Sequence, residues 1–243
     1  MNLTLYCNSF DGKPPLHTQF NQKTLICGSH YESPYLQKEY IEKGYLLDNK
    51  GLNISNLNHL LGDLTGLFWI WKNTNDEFVG TNQYRRFYDE SQTAKFFPLS
   101  TSTLFVSQFL HCQFNMWEQY ISSHGNIGIK ILLEAAKKKK IPITAEMISK
   151  MYSFKFLSPC NMFFCHRELF NKVCEVLFEI VFELYNGTKY ALKFIQQDIH
   201  SGRGPNEKRL LAFLAERILN ILYLHSNYFF GNIKIQPINY RTL

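Results

Sequence analysis

The sequence predicts an α/β fold, and three observations carry the prediction. Short apolar runs end in polar, glycine-containing turns. Longer segments with apolar residues at helical spacing lie between them, and the two kinds of segment alternate along the chain. At 243 residues, 45% of them hydrophobic and 19% charged, the chain suits one sizeable domain with a substantial core and lacks the composition of a disordered protein. No internal repeat, linker or low-complexity tract divides it.

Taken in order, "LTLYCN" (3–8) reads as a buried strand running into a Gly/Pro loop at Asp11–Pro15. "TLICGSH" (24–30) repeats the pattern, and two such strands point to a sheet with functional loops at its strand ends. Residues 54–73 read as one long helix capped by Ser55 or Asn56, with Leu57, Leu60, Leu61, Leu64, Leu67, Phe68 and Trp71 on its apolar stripe. "EFVGTNQY" and "STLFVSQ" (102–108) follow as strands. "NMWEQYISSHGNIGIKILLEAAKK" forms two helices broken near Gly125, and "FKFLSPCNMFFCHREL" forms extended strands around a Ser-Pro turn. A helix over 168–187 is expected to stop at Asn186-Gly187. The loop "SGRGPNEK" then feeds a last long helix, and "NIKIQPIN" closes the chain as a strand.

Composition narrows the function classes. A net charge of +6 favours anionic partners without choosing among them. The run Lys137–Lys140 complements a helix C-terminus, with a membrane-surface patch as the alternative reading. Cys7, Cys27, Cys112, Cys160, Cys165 and Cys174 are scattered and mostly in apolar contexts, as expected of reduced thiols in a cytoplasmic protein. No apolar stretch has the length of a transmembrane span, and the first residues do not read as a secretory signal. HExxH, Asp-x-Asp, P-loop, GxGxxG and GxSxG patterns are missing, as is a Cys/His cluster with ligand spacing. The basic residues do not form a recognised groove reader, so nucleic acid is not an expected partner.

Several polar residues interrupt apolar segments. Arg85 and Arg86 follow a strand, where a planar guanidinium can hold a phosphate through two hydrogen bonds; a solvated turn is the plainer alternative. Adjacent strand residues point oppositely, so one of the two is expected to face a site. Asp63 and Thr65 sit inside the helical stretch 54–73, either on an exposed face or towards the core with a partner. His124 precedes the helix break as a capping residue or a proton carrier. Glu216-Arg217 interrupts the last helix, as an ion pair with Arg209 or Arg217 or as a site carboxylate able to take a hydroxyl proton.

Together, "LTGLFWIWKN" and "DEFVGTNQYRRF" resemble the paired signature of the DUF4422 proteins, the capsular-polysaccharide glycosyltransferases. Members typically carry an acidic residue and Thr-Gly-Leu-Tyr-Trp-x-Trp-Lys-Asn on a helix, then a strand ending in His-Tyr-Arg-Arg-Tyr-Phe. "EQYISSHG", "NMFFCHRELFNKVCEVLFEIVFEL" and "RLLAFLAERILNIL" match later blocks in the same order, so the resemblance spans roughly residues 20–225. It implies a single GT-A-like (Rossmann-like) domain with a mixed central sheet flanked by helices. The donor side would occupy about 1–110, and the acceptor side with the C-terminal helix about 111–243.

The implied activity is transfer of a hexose from a nucleotide sugar to a glycan or lipid-linked glycan in bacterial capsular or O-antigen synthesis. The implied location is the cytoplasm, with peripheral association at the inner membrane. A fold-retaining, non-catalytic binder of sugar nucleotide or glycan is the alternative. GT-A enzymes commonly hold Mn or Mg on an Asp-x-Asp at this strand end; here Gln83-Tyr84-Arg85-Arg86 fills that place, so arginine charge is expected to replace part of the metal's role, and no metal ligand is assigned. Gln83 stands where the family usually has His and cannot titrate, and Asp63 stands where Glu is usual. On this reading Glu216 is the first candidate base and Asp63 the second. Thr65, Gln83, Tyr84, Arg85, Arg86 and Arg217 are candidate donor contacts, and His124 and Asn161 candidate acceptor contacts. Trp69, Trp71 and Tyr84 read as packing before sugar stacking.

Overall fold

A computed structural model describes residues 3–10, 20–198 and 209–242, with backbone alone for 187–198. The predicted loops at Asp11–Pro15 and 201–208 lie outside the described residues.

Strand β1 (Leu3–Ser9) is buried along its whole length and pairs in parallel with β2 (Asn21–Ile26). Helix α1 (Pro34–Glu42) follows, started by Ser33, whose hydroxyl accepts the Leu36 N–H, and by Pro34 at its first position. It returns the chain to the short β3 (Leu46–Leu47), parallel to β2. Helices α2 (Asn58–Leu61) and α3 (Leu64–Asn73) then carry the chain back across the sheet to β4 (Phe78–Gln83), which pairs in parallel with the other side of β1. Tyr84 and Arg85 turn β4 into β5 (Arg86–Tyr88).

After α4 (Glu90–Thr93) and β6 (Thr103–Ser107), β7 (Leu110–His111) leaves the main sheet. Helix α5 (Met116–His124) opens with a capping box: Asn115 accepts the Glu118 N–H and Glu118 accepts the Asn115 N–H. Helix α6 (Ile127–Lys137) ends at the lysine run, where Lys138 and Lys140 pair with Glu134 and Glu183. Helix α7 (Ala145–Lys150) precedes β8 (Phe156–Leu157), which forms a small ribbon with β7. Strand β9 (Phe163–His166) enters antiparallel between β4 and β6. Helices α8 (Arg167–Asp198), α9 (Leu210–Leu224) and α10 (Ser226–Phe230) lead to β10 (Lys234–Ile238), parallel to β6, and β11 (Tyr240–Thr242), antiparallel to β5.

The resulting order, β10-β6-β9-β4-β1-β2-β3, is a mixed sheet within the α/β class. Glycine makes one contact in it possible. A Cβ on Gly80 would lie 2.2 Å from the Phe164 Cβ, so only a bare Cα lets β9 close on β4. One core packs Trp117, Phe170, Phe178 and Leu214 beside the helices, and a smaller one packs Leu3, Leu5, Tyr88, Phe105 and Phe164.

Two predicted elements differ. The stretch 54–73 is not one helix: a 3₁₀ turn at Ser55–Leu57 and α2 end at Gly62, whose φ of 54° suits glycine, and α3 starts afresh. Ser55 is no cap. Its hydroxyl donates to Asp48 at 2.5 Å, drawn to a buried carboxylate that needs partners. Conversely, α8 runs through Asn186-Gly187, since glycine inside a helix costs only about 1 kcal/mol and a helix already formed over many turns absorbs it.

Candidate functional site

A cavity of about 620 Å³ opens at the C-terminal ends of β1, β2 and β4. The chain leaves β1 towards β2 on one side and comes back to it as β4 on the other, so the cavity lies at a topological switch point, where open α/β sheets bind ligands. Phe10, Cys27-Gly28 and Gln83–Arg86 form its strand-end wall. The facing wall is the Cys160-Asn161 turn and one stripe of α9 and its cap: Arg209, Ala212, Phe213 and Glu216, spaced i, i+3, i+4, i+7.

Asp63 projects into this space from the break between α2 and α3. Its Oδ2 accepts the Gln83 amide N–H at 2.9 Å, and Asn161 Nδ2 donates to Oδ1 at 3.2 Å. Burial, and then the nearby Glu216 charge, push its carboxyl up to about 6, against the opposing pull of the Asn161 and Gln83 amides. The same Gln83 nitrogen donates to the Cys160 carbonyl at 2.9 Å, so one side chain ties the carboxylate to the opposite wall. Cys160 and Asn161 both hold positive φ, 76° and 51°, a cost of order 1–3 kcal/mol for each non-glycine residue. Asn161 is only 7% exposed, and its Oδ1 has no hydrogen-bond partner among the described residues.

Glu216 is held from two sides. Its Oε1 accepts the Cys160 N–H at 2.8 Å, and its Oε2 pairs with Arg217 at 2.6 Å. Arg217 is 2% exposed, donates also to the Phe213 carbonyl and to Gln119, and does not line the cavity. It anchors Glu216 from behind. Thr65 is likewise outside the cavity: it donates to Asp48 at 2.6 Å and accepts from Asn58. Asp48 further accepts the backbone N–H groups of Gly28 and Ser29 and the Ser29 and Ser55 hydroxyls, which fixes the turn after β2. His124 stacks on Phe213 at 4.1 Å between ring centroids, backing a cavity residue without reaching the cavity itself.

Asp63, Gln83, Tyr84, Arg85, Arg86, Asn161 and Glu216 are thus brought to one cavity, while Thr65, Arg217 and His124 support it. Arg85 and Arg86 both line it, since Arg85 lies in the turn and strand alternation does not separate them. Sequence reasoning missed Asp48 as the hub beneath the site; of the two ion-pair partners it offered for Glu216, Arg217 is the one found, and Arg209 lines the cavity instead. The helical spacing of Arg209 to Glu216 was the available signal for its place on the cavity wall.

Among the described residues no group of three or more His, Cys, Asp or Glu is placed to hold a metal ion. The groups at the β4 end do not suit a divalent cation: two guanidiniums stand there, and the oxygens of Asp63 and Glu216 already face N–H donors. No helix of the described residues is long and apolar enough to cross a membrane.

A family model described as a domain of unknown function, DUF4422, matches residues 36–227. Among solved structures, the apo form of WbbM, a bifunctional glycosyltransferase, superposes with a TM-score of 0.72 at 19% identity, covering 99% of this chain and 45% of that one. This chain therefore has the fold of part of a glycosyltransferase and spans less than half of that structure's length. No curated protein matches the sequence.

Proposed function

The chain belongs to the DUF4422 family, and on that premise we propose that it is a glycosyltransferase that takes a hexose from a nucleotide sugar. The acceptor is a glycan or lipid-linked glycan of bacterial surface polysaccharide, met at the cytoplasmic face of the membrane. The observation that carries this reading is the cavity itself: arginines and two partly buried carboxylates converge at the switch point of the sheet.

In a transfer with inversion, the acceptor hydroxyl oxygen forms a bond to the sugar's anomeric carbon as the bond from that carbon to the phosphate oxygen breaks. The electron pair leaves with the nucleoside diphosphate, and the hydroxyl proton passes to a carboxylate. Asp63 suits that proton. Its carboxyl, pushed up to about 6, is ionised at neutral pH yet basic enough to accept. Glu216, with one oxygen on the Cys160 N–H and the other on Arg217, is better suited to fix the field around Asp63. The unpartnered Asn161 Oδ1 can accept a hydrogen bond from a sugar hydroxyl.

A thermal-shift panel of nucleoside diphosphates and nucleotide sugars tests the reading, because a ligand of the folded state raises the midpoint by mass action. The expected result is a rise with one nucleotide series and slow hydrolysis of the matching sugar nucleotide without acceptor. A rise without hydrolysis or transfer would make the chain a binding module, and no rise with any nucleotide would overturn the proposal.

A further inference from the structure

The arginines of the described chain fall into two groups. Arg167, Arg217 and Arg241 each reach a carboxylate, on Asp76, Glu216 and Asp89 respectively. Arg85, Arg86 and Arg209 have no ion pair among the described residues, and these three line the cavity. They come from separate places: the β4–β5 turn, the first residue of β5, and the residue that precedes α9.

Two of the three guanidiniums, those of Arg85 and Arg209, are held by rings. Arg85 lies over the Tyr84 ring at 5.0 Å, Arg209 over the Phe10 ring at 5.2 Å, and the two rings meet edge to face at 6.5 Å. This chain of contacts links the turn after β4 to the start of α9 past the end of β1. None of the cavity's acidic residues forms an ion pair with these arginines. Glu216 is matched by Arg217, Asp63 accepts from two amides, and Glu32 has no cationic partner among the described residues.

We infer that Arg85, Arg86 and Arg209 form a metal-free cradle for the diphosphate of the donor, with Arg209 closing it from the α9 side. The inference rests on the glycosyltransferase reading for the identity of its ligand. A diphosphate spreads its charge over several oxygens, and planar guanidiniums on two sides can bridge them with paired N–H bonds. The same positive charge would stabilise the departing nucleoside diphosphate without a divalent ion.

The test is calorimetric titration of the full chain with inorganic pyrophosphate in EDTA, and again with added Mg²⁺ or Mn²⁺. Binding is expected in EDTA, with Arg209→Gln weakening it about tenfold or more, the effect of one or more hydrogen bonds to a charged group. Arg209→Lys is expected to recover part of the loss, and Lys139→Gln, a surface charge outside the cavity, to leave affinity unchanged. Retained melting temperatures show that each variant folds. Pyrophosphate binding that needs a divalent ion, or an Arg209→Gln protein that binds as wild type, would overturn the cradle. Nucleotide-sugar turnover separates the two readings. Turnover strictly dependent on a divalent ion defeats the cradle and leaves the glycosyltransferase reading standing. Pyrophosphate binding in EDTA without use of any nucleotide sugar supports the cradle and defeats that reading.

Discussion

At the scale of single residues, the proposed chemistry concentrates on Asp63. On the proposed reading, replacing it with Asn keeps the shape and one of its two accepting oxygens but removes the base, so Asp63→Asn is expected to fold, to bind nucleotide, and to lose about 10²–10⁴-fold in turnover. The pH profile should show the same group. Its carboxyl is raised to about 6, so the active, ionised form is lost as pH falls, and kcat/KM should drop below an apparent pKa near 6. Stability runs the other way. The fold favours the protonated carboxyl, so Asp63 contributes a loss of stability as pH rises from its ordinary 3.8 towards 6, a slope that urea melts of Asp63→Asn should lack. Arg217 provides the contrast. Removing it strands Glu216 beside a buried gap, and Arg217→Met should cost about 3–5 kcal/mol in denaturant melts. Arg209→Gln should leave stability nearly untouched, because Arg209 is engaged by a ring and no carboxylate among the described residues.

Elements carry the next set of constraints. A Cβ at position 80 would press on the Phe164 Cβ and the Phe163 carbonyl, so Gly80→Ala should force β9 away from β4 and cost at least about 1–3 kcal/mol in chemical denaturation. The longer strands were legible because each is a short apolar run bounded by turn residues, and the α5–α6 break because Gly125 interrupts a clear pattern, whereas β3, β5, β7 and β11, two or three residues each, carry too little pattern to read. The break at Gly62 was not. Leucines continue at helical spacing across it, and periodicity alone cannot tell a tolerated glycine from a turn. What breaks the helix is Asp48, far back in sequence, which takes the Ser55 and Thr65 hydroxyls and so places Gly62 and Asp63. At Gly187 the error is the opposite one: a local stop signal there does not end α8, since a single glycine costs a helix only about 1 kcal/mol.

On the scale of the whole molecule, the sheet order puts the ends of β1, β2 and β4 beside a turn and a helix from the second half of the chain. Sequence motifs picked out part of the cavity lining, since Asp63 and Gln83–Arg86 lie in neighbouring blocks. They located Glu216 as an interruption of an apolar helix. They could not show that Arg209 faces Arg85 across one cavity, because that pairing joins residues more than a hundred positions apart and exists only once β9 and α9 are in place. The most direct test of the central claim is release of nucleoside diphosphate from a panel of sugar nucleotides by wild-type and Asp63→Asn protein. Release by wild type from one donor series is expected, with a loss of at least about a hundredfold in the variant and nucleotide binding intact. No release from any donor, or undiminished release by Asp63→Asn, would contradict the claim.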